Sequence, residues 1–192
     1  MRSSPTTVAE ILEILANRGS DRYGAENLNQ LAHALQCAWL AEHAGADEDL
    51  ITAALLHDLG HLIHKYGDDA AKQGINVRHE HIGSKYLARL FNHAVTEPIA
   101  LHVDAKRYLC ANEPGYYETL STGSVRSLNL QGGPMQEHES QEFLSHPHAE
   151  TALKLRRWDE GAKIEDLTTP DINHFCKYVE ISAAKLTGQA AE

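Results

Sequence analysis

Apolar residues recur at a helical spacing through most of this sequence, and this recurrence limits the possible folds more than any other feature. Leu28, Leu31, Leu35 and Trp39 form one such stripe, whereas runs that alternate apolar and polar residues are almost absent. Strands that bury one face of a sheet need that alternation. The sequence therefore predicts an all-α fold.

Signals for the start and end of helices divide the chain into segments. Thr7 and Glu10 form a capping-box pattern, and Asp47 is placed to cap the helix that follows Gly45. We further expect helices over about residues 26–43, 79–91 and 139–159, a helix with Pro98 in its first turn, and a last helix opened by Pro170. Residues 65–78 and 111–137 are expected to be loops, the second with a short helix near 124–130. No linker or repeat interrupts this pattern, so residues 1–192 are predicted to form a single helical domain.

Composition narrows the class of function. The formal net charge is -10 and the basic residues form no stripe, which argues against nucleic acid as a partner. No apolar run reaches the length of a membrane span, and the amino terminus lacks the apolar core of a signal peptide. The 3 cysteines are far apart, which indicates a reducing compartment. We therefore expect a cytoplasmic protein without a membrane or nucleic-acid partner.

The stretch AALLHDLGH, residues 53–61, places His57 and Asp58 side by side at the end of an apolar run. Adjacent helical side chains point about 100° apart, yet both can reach one ion at a helix end, and Gly60 follows directly. The pair alone is weak evidence, because a single buried histidine is more often a hydrogen-bonded core residue than a ligand. Further candidates beside apolar residues in other predicted helices strengthen the case: His33, His79, His102 and Asp159.

One ordered set of these residues resembles the H…HD…D signature of the HD-domain superfamily: His33, His57, Asp58 and Asp159. The inserted His79 and His102 resemble the additional ligands of HD domains that bind two metals. The resemblance implies a helical bundle in which Asp58 bridges two ions. One ion would be bound by His33, His57 and Asp159, and the other by His79 and His102.

The residue types also bear on the metal and the reaction. Imidazole and carboxylate suit iron or manganese, and we expect no thiolate at the site to favour zinc. Most HD-domain proteins are phosphohydrolases, in which a metal-bound hydroxide attacks a phosphate ester. A phosphohydrolase therefore remains the alternative function.

Longer stretches are similar to a narrower group, the mixed-valent di-iron HD-domain oxygenases that cleave organophosphonates, the family of the 2-amino-1-hydroxyethylphosphonate dioxygenase. These stretches are YGAENLNQLAHALQCA, AALLHDLGH, RHEHIG, HVDAKRYL, LQGGPM and LRRWDE, and they lie within about residues 20–165. The resemblance implies an Fe(II)/Fe(III) pair with O2 as co-substrate. It implies cleavage of the C–P bond of 1-hydroxy-2-(trimethylammonio)ethylphosphonate or of its unmethylated 2-amino-1-hydroxyethylphosphonate analogue. The products would be phosphate and glycine betaine or glycine.

The same resemblance implies roles for residues around the metals. Tyr23 resembles the tyrosine that binds one of the irons before the substrate binds, and Glu26 resembles the carboxylate that binds the ammonium group of the substrate. Lys106 and Arg156 resemble the cations that bind the phosphonate. Hydrogen bonds to the same group are implied for His61, Ser124, Ser127 and Gln131.

The spacing of the two cations agrees with these roles. Lys106 lies one helical turn after His102, and Arg156 lies three residues before Asp159, so each cation shares a helix face with a candidate metal ligand. Cations beside a two-metal site make sense only if an anion binds between them.

Simpler interpretations stay open for the remaining residues. Tyr23 would also fit as a core aromatic, and Glu26 would also fit in the first turn of its helix, where a carboxylate is favourable. The serines and Gln131 would also fit as loop residues that bond their own backbone. The small residues Gly24 and Ala25 leave room for N-methyl groups, which favours the methylated substrate.

Overall fold

In the computed structural model, the structure describes residues 7–19, 28–64, 66 and 73–189, with side chains described up to residue 186. This part of the chain forms helices and no sheet, so the all-α prediction is confirmed. In chain order the helices are α1 (Val8–Arg18), α2 (Gln30–His43), α3 (Glu48–Leu56), α4 (Leu59–Ile63), α5 (His79–Leu87), α6 (His93–Asn112), α7 (Tyr116–Thr119), α8 (Thr122–Leu130), α9 (Glu137–Ser145), α10 (Ala149–Gly161) and α11 (Ile172–Gln189).

The caps predicted at Thr7 and Asp47 are both present. The Thr7 hydroxyl accepts the N–H of Glu10 at 3.3 Å, and the Asp47 carboxylate accepts the N–H of Leu50 at 2.9 Å. Each cap satisfies an N–H group that has no partner inside its helix and contributes about 1 kcal/mol. Local sequence therefore sets the starts of α1 and α3.

Several boundaries differ from the predictions. α2 begins at Gln30 rather than at about residue 26, because the Asn29 side chain accepts the N–H of Ala32 at 2.7 Å and caps the helix there. α6 begins at His93 rather than at Thr96, because the Asn92 side chain accepts the N–H of Ala94 at 3.0 Å and starts the helix earlier. Pro98 therefore lies in the second turn. The helix expected over 139–159 is two helices, α9 and α10, because Pro147 disfavours helical backbone at the residue before it. α5 ends at Leu87, not at residue 91, and region 111–137 contains both α7 and α8.

Helices α2, α3, α6 and α10 pack around the buried polar residues. α3 packs against α2, α6 and α11, while α10 packs against both α2 and α6. The largest fully buried apolar side chains come from all parts of this bundle: Leu55, Leu56, Phe91, Ile99, Leu155 and Phe175. The candidate ligands therefore lie inside a packed apolar core. Within the described part of the chain, no helix is long and apolar enough to cross a membrane.

A close approach between α4 and α5 brings His79 to the His57-Asp58 pair. A Cβ atom at Gly60 would lie 2.0 Å from the carbonyl oxygen of His79, and one at Gly83 would lie 3.2 Å from the Gly60 nitrogen. The contact with the His79 backbone leaves no room for a larger residue at position 60, and a side chain at position 83 would press on the Gly60 backbone. The glycine that follows the His-Asp pair thus sets the distance to the next candidate ligand.

Candidate metal centre

The six candidate metal ligands converge in the bundle. They come from five places in the fold: His33 from α2, His57 and Asp58 from the junction of α3 and α4, His79 from the first residue of α5, His102 from α6, and Asp159 from α10. All six are buried, with at most 8% of the residue surface exposed. A junction between helices lets the adjacent His57 and Asp58 face one point, as the sequence predicted.

Asp58 stands between two sets of imidazoles. Its Oδ2 lies 3.8 Å from His33 Nε2 and 3.6 Å from His57 Nε2. Its Oδ1 lies 3.2 Å from His79 Nε2 and 3.7 Å from His102 Nε2. Each oxygen thus faces a different pair of nitrogens, which is the arrangement of a carboxylate that bridges two ions.

We call His33, His57 and Asp159 the inner group, and His79 and His102 the outer group. Asp159 completes the inner group, since its Oδ1 lies 3.4 Å from His33 Nε2 and 3.9 Å from His57 Nε2. The outer group has two imidazoles, whose Nε2 atoms are 3.1 Å apart. Among the described residues, the inner group therefore has one more protein ligand than the outer group.

Hydrogen bonds fix which ring nitrogen is free to bind a metal. Nδ1 of His33, His57 and His102 each lies 2.7–2.9 Å from a backbone carbonyl oxygen. A carbonyl only accepts, so each Nδ1 carries a proton and each Nε2 is the nitrogen that can face a metal ion. Nε2 of His33 and Nε2 of His57 lie 3.3 Å apart. Two imidazole nitrogens this close need a shared cation between them, either a proton on His33 or a metal ion, so the donor set fits a bound metal ion.

The two carboxylates are ionised in this setting. Burial favours the neutral form, but His57 and His79 outweigh it and hold the pKa of Asp58 well below its ordinary value. Arg156 and His33 likewise outweigh burial at Asp159 and lower the pKa of that carboxyl. Ionised carboxylates are the form that metal coordination requires.

The imidazoles divide into two kinds. Burial lowers the pKa of His57 and of His102, which keeps both rings neutral and ready to bind metal. For His33 and His79, neighbouring acidic groups outweigh burial and raise the pKa. A metal ion would replace the proton at these two rings, so metal binding is expected to be weaker at low pH.

Two side chains contact His79 and distinguish the outer group. Glu80 is buried, and its Oε2 lies 3.4 Å from His79 Nδ1, an ion-pair distance without hydrogen-bond geometry, whereas the other three rings hydrogen-bond a backbone carbonyl. His61 stacks on the His79 ring with a centroid distance of 3.9 Å. Burial and His79 lower the pKa of His61 to about 3, so this ring is neutral and offers hydrogen bonds without charge. Sequence reasoning missed Glu80, although a carboxylate next to a candidate ligand was a visible signal.

Lys106 is a buried ammonium beside the metal ligands. It is 3% exposed, and its Nζ donates to Ser127 Oγ at 2.8 Å. Among the described residues, no carboxylate lies within ion-pair distance of this Nζ. Burial, followed by Arg156, lowers the pKa of Lys106 to about 7. A buried cation without a counter-ion is costly unless an anion joins it.

Arg156 is in a different position, because acceptors surround it. Its guanidinium donates to Asp159 and Glu160, to Tyr116 Oη at 2.9 Å and to Ser124 Oγ at 3.3 Å. Arg156 thereby links the inner metal ligand Asp159 to three polar neighbours. The structure brings Lys106, Ser127, Arg156 and Ser124 together in one pocket, as expected from their implied roles.

Three further residues line this pocket and were missed in the sequence: Tyr116, Glu160 and Lys163. Lys163 Nζ donates to Ser124 Oγ at 2.7 Å and to Glu160 Oε2 at 2.8 Å. Glu160 also accepts from the Ser124 hydroxyl at 2.8 Å. When Lys106 is protonated, the pocket holds three cationic side chains and two carboxylates, Asp159 and Glu160, so it carries an excess of one positive charge. Tyr116 gave no signal, because its short helix lies in a region expected to be a loop.

Among the described residues, Gln131 is a predicted residue whose side chain no hydrogen bond joins to the pocket. The Gln131 side chain has a buried Oε1 without a hydrogen-bond partner, and the described hydrogen bonds do not link it to Lys106 or Arg156. Tyr23 and Glu26 lie outside the described residues. Their implied roles therefore stay predictions.

Cys37 corrects one expectation. The sequence was expected to place no thiol at the site, but Cys37 lies one turn after His33 on α2, and its Sγ is 3.7 Å from His33 Nε2. The thiol is fully buried, and burial raises its pKa. A soft ligand atom is therefore present beside the inner group.

Several known proteins are similar to this chain over most of its length. Residues 30–131 match the HD domain family. The chain is 44% identical over 174 residues to the hydroxymethylphosphonate dioxygenase of Gimesia maris, covering 90% of this chain and 86% of that protein. It is 38% identical over 175 residues to the glycine-betaine-forming 1-hydroxy-2-(trimethylamino)ethyl phosphonate dioxygenase of Leisingera caerulea, covering 91% and 89%. An uncharacterized protein of Acanthamoeba polyphaga mimivirus is 35% identical over 171 residues, covering 88% of this chain and 78% of that protein.

Proposed function

The chain belongs to the HD-domain family, in the group that includes the phosphonate dioxygenases, and on this premise we propose that it is a di-iron oxygenase that cleaves the C–P bond of a 1-hydroxyphosphonate. The reaction converts R–CH(OH)–PO3H2 and O2 into R–COOH and H3PO4. All atoms of O2 are used, so no external reductant is needed. Two relatives that carry dioxygenase names across about nine-tenths of the chain favour this reaction over phosphohydrolysis.

The observation that carries the proposal is the buried Lys106 ammonium without a carboxylate partner among the described residues. It lies one turn after His102 on α6, so an anion bound to it is next to the outer group. Lys163 and Arg156 also lie in this pocket, but their positive charges are paired with the carboxylates of Glu160 and Asp159. A phosphonate fits this position as a counter-ion with several acceptor oxygens.

The donor set agrees with two irons. His33, His57 and Asp159 would hold one, His79 and His102 the other, and Asp58 would bridge them, as each of its oxygens faces one group. Imidazole and carboxylate ligands suit iron, and the Fe(II)/Fe(III) pair is part of the proposal. When bound, the irons supply the oxidation by O2, whereas the protein supplies binding, orientation and charge.

The side chains of this protein would position the substrate for that oxidation. Lys106 would bind a phosphonate oxygen while Ser127 holds its ammonium in place, and the free proton of Tyr116 would donate a further hydrogen bond. The one proton of the Ser124 hydroxyl goes to Glu160, so Ser124 would turn away from Glu160 to bind the phosphonate. His61 would donate a hydrogen bond as a neutral ring, since it lies against His79. The surrounding apolar core excludes water and strengthens each of these contacts. Gln131 and the iron-binding role of Tyr23 are proposed from family resemblance.

The substituent R decides among three substrates. The two relatives are named for hydroxymethylphosphonate, which has no amine, and for the trimethylammonio compound. Glu26 would supply a carboxylate for an ammonium group, and the small side chains of Gly24 and Ala25 would leave room for its methyl groups. We therefore propose the trimethylammonio substrate, with the amino compound and hydroxymethylphosphonate as competitors. A cytoplasmic location and a small-molecule substrate as the only partner class complete the proposal.

An aerobic assay of the iron-loaded protein with all three hydroxyphosphonates tests the proposal. We expect one phosphate released for each O2 consumed, and a mixed-valent EPR signal from the same sample. Phosphate release without O2 uptake would show a phosphohydrolase instead. Glu26→Gln should raise the KM for the trimethylammonio compound but not for hydroxymethylphosphonate; equal effects on both would remove Glu26 from ammonium binding.

A further inference from the structure

Cys37 gives the inner group a fourth donor atom. His33 Nε2 lies 3.3 Å from His57 Nε2, 3.4 Å from Asp159 Oδ1 and 3.7 Å from Cys37 Sγ. The donor atoms of His33, Cys37 and His57 all lie within 4.8 Å of one another. Cys37 shares the α2 face of His33 because it follows by four residues, so two donors come from one helix turn and two from other helices.

These spacings match a tetrahedral zinc site. Zn²⁺ binds nitrogen and oxygen at about 2.0–2.2 Å and sulfur at about 2.3 Å, so the donors of a tetrahedral site lie roughly 3.3–3.7 Å apart. The three distances from His33 Nε2 fall in this range, and His57 Nε2 to Asp159 Oδ1 is slightly longer at 3.9 Å. Two imidazoles and a thiol within 4.8 Å of one another, with the carboxylate of Asp159 3.4 Å from one of those imidazoles, form a donor set that suits a thiophilic ion.

We propose that the inner group is also a binding site for Zn²⁺ and similar thiophilic ions, with Cys37 Sγ as the fourth ligand beside His33, His57 and Asp159. Binding would release the thiol proton to solvent as the sulfur–metal bond forms. Zinc has no redox chemistry, and Cys37 together with Asp58, whose Oδ2 lies 3.8 Å from His33 Nε2 and 3.6 Å from His57 Nε2, would fill the positions that His33, His57 and Asp159 leave open. The zinc-bound form is therefore inactive as an oxygenase, and zinc competes with iron for this position. The inference concerns the metal site and does not depend on the proposed oxidation.

Cobalt reports thiolate coordination directly. Metal-free full-length protein is titrated with Co²⁺, and we expect a sulfur-to-cobalt charge-transfer band in the near ultraviolet together with the intense visible bands of four-coordinate Co²⁺. Cys37→Ser should lose the charge-transfer band. A Cys110→Ser/Cys176→Ser double variant, in which Cys37 is the sole cysteine, should keep it.

Metal competition gives a second readout. With equal Zn²⁺ and Fe²⁺ offered to the metal-free protein, the wild type should retain more zinc per chain than Cys37→Ser, as measured by elemental analysis. A wild-type cobalt spectrum without the charge-transfer band would overturn the proposal, even if Cys37→Ser failed to fold. A band that persists in Cys37→Ser, or a zinc-to-iron ratio that the substitution leaves unchanged, would do the same. None of these measurements uses oxygenase activity, so their outcome does not depend on whether the phosphonate assay succeeds.

Discussion

The inner and outer groups share Asp58 but differ in what surrounds them. Every residue of the inner group is at most 2% exposed, its imidazoles bond backbone carbonyls, and its three protein ligands are joined by a nearby thiol. The outer group has two imidazoles, a carboxylate behind His79, and Lys106 one helical turn from His102. On the proposed two-metal assignment, the inner group would hold its ion more firmly, and the outer group would leave positions open for substrate.

Asp58→Ala is the strongest test, because both groups depend on this carboxylate. The substitution removes the negative charge that lies within 3.8 Å of His33, His57, His79 and His102. We expect loss of both metals in elemental analysis of the purified protein. Asp104→Ala, at a half-exposed residue on α6 that pairs with Arg107, serves as control and should keep both ions. Two tightly bound ions in Asp58→Ala would rule out the bridging assignment.

Single-ligand variants should affect the two groups unequally. His102→Ala leaves the outer ion only His79 and Asp58, so we expect about one metal per chain. His33→Ala leaves the inner ion with His57, Asp159 and Asp58, and should retain more metal than His102→Ala at the same free iron concentration. Metal content is measured after equilibrium dialysis. Equal retention in the two variants would remove the distinction between the groups.

Lys106→Met tests the open side of the outer group. The methionine keeps an apolar stem of similar length but loses the ammonium. A charge-assisted hydrogen bond contributes about 1.5–3 kcal/mol, so KM should rise about 10- to 100-fold while both metals stay bound. Lys154→Met, at an exposed lysine that pairs with Glu150, is the matched control. Unchanged KM with full metal content would exclude Lys106 from phosphonate binding.

Glu80→Gln tests the carboxylate behind His79. The amide keeps the shape but no longer carries the charge that polarises the His79 ring, so metal affinity of the outer group should fall about tenfold. The inner ion should be unaffected, and competition with a chelator measures both. Glu97→Gln, at a partly exposed glutamate on α6, is the control. A fall at both positions, or at neither, would contradict the assignment of Glu80 to His79.

The pKa of Lys106, lowered to about 7, predicts a pH dependence. The lysine is protonated below this value, so its attraction for an anion is present at lower pH and lost as pH rises through about 7. Competitive inhibition by methanesulfonate, whose charge is constant between about pH 6 and pH 9, should therefore weaken several-fold over that range. Lys106→Arg keeps its charge and should flatten the profile. A profile that stays steep in Lys106→Arg would assign the titration to another group.

Several parts of this architecture follow from short-range sequence alone. The caps at Thr7 and Asp47 were predictable because a side chain bonds a backbone N–H three residues away. The division of the 139–159 segment was also encoded locally, in Pro147, although the helical periodicity on both sides concealed it. Predicted helix boundaries were wrong where two local signals competed. At the start of α6, the cap at Asn92 begins the helix earlier than the position of Pro98 suggested.

The candidate site was predictable to the extent that its residues are unusual types beside apolar ones. Histidines and carboxylates at the apolar faces of several helices pointed to the six ligands, and those same six residues converge in the bundle. Glu160 carried a signal of the same kind, because it follows the candidate ligand Asp159 directly and lies four residues after Arg156 on the same helix. Tyr116 carried none, and its proximity to Arg156 depends on how α7 and α10 meet.

The sequence by itself determined that this chain folds as helices and which residues could bind metal, because helical periodicity and ligand chemistry are local properties. Only the tertiary structure decided which of these residues come into contact with one another. It turned the two oxygens of Asp58 to different imidazole pairs, and it gave Lys106 a hydroxyl from α8 as its hydrogen-bond partner. It also brought His57 to the His33–Cys37 pair of α2. These outcomes depend on distances between helices far apart in the chain, which packing sets and residue order does not encode locally.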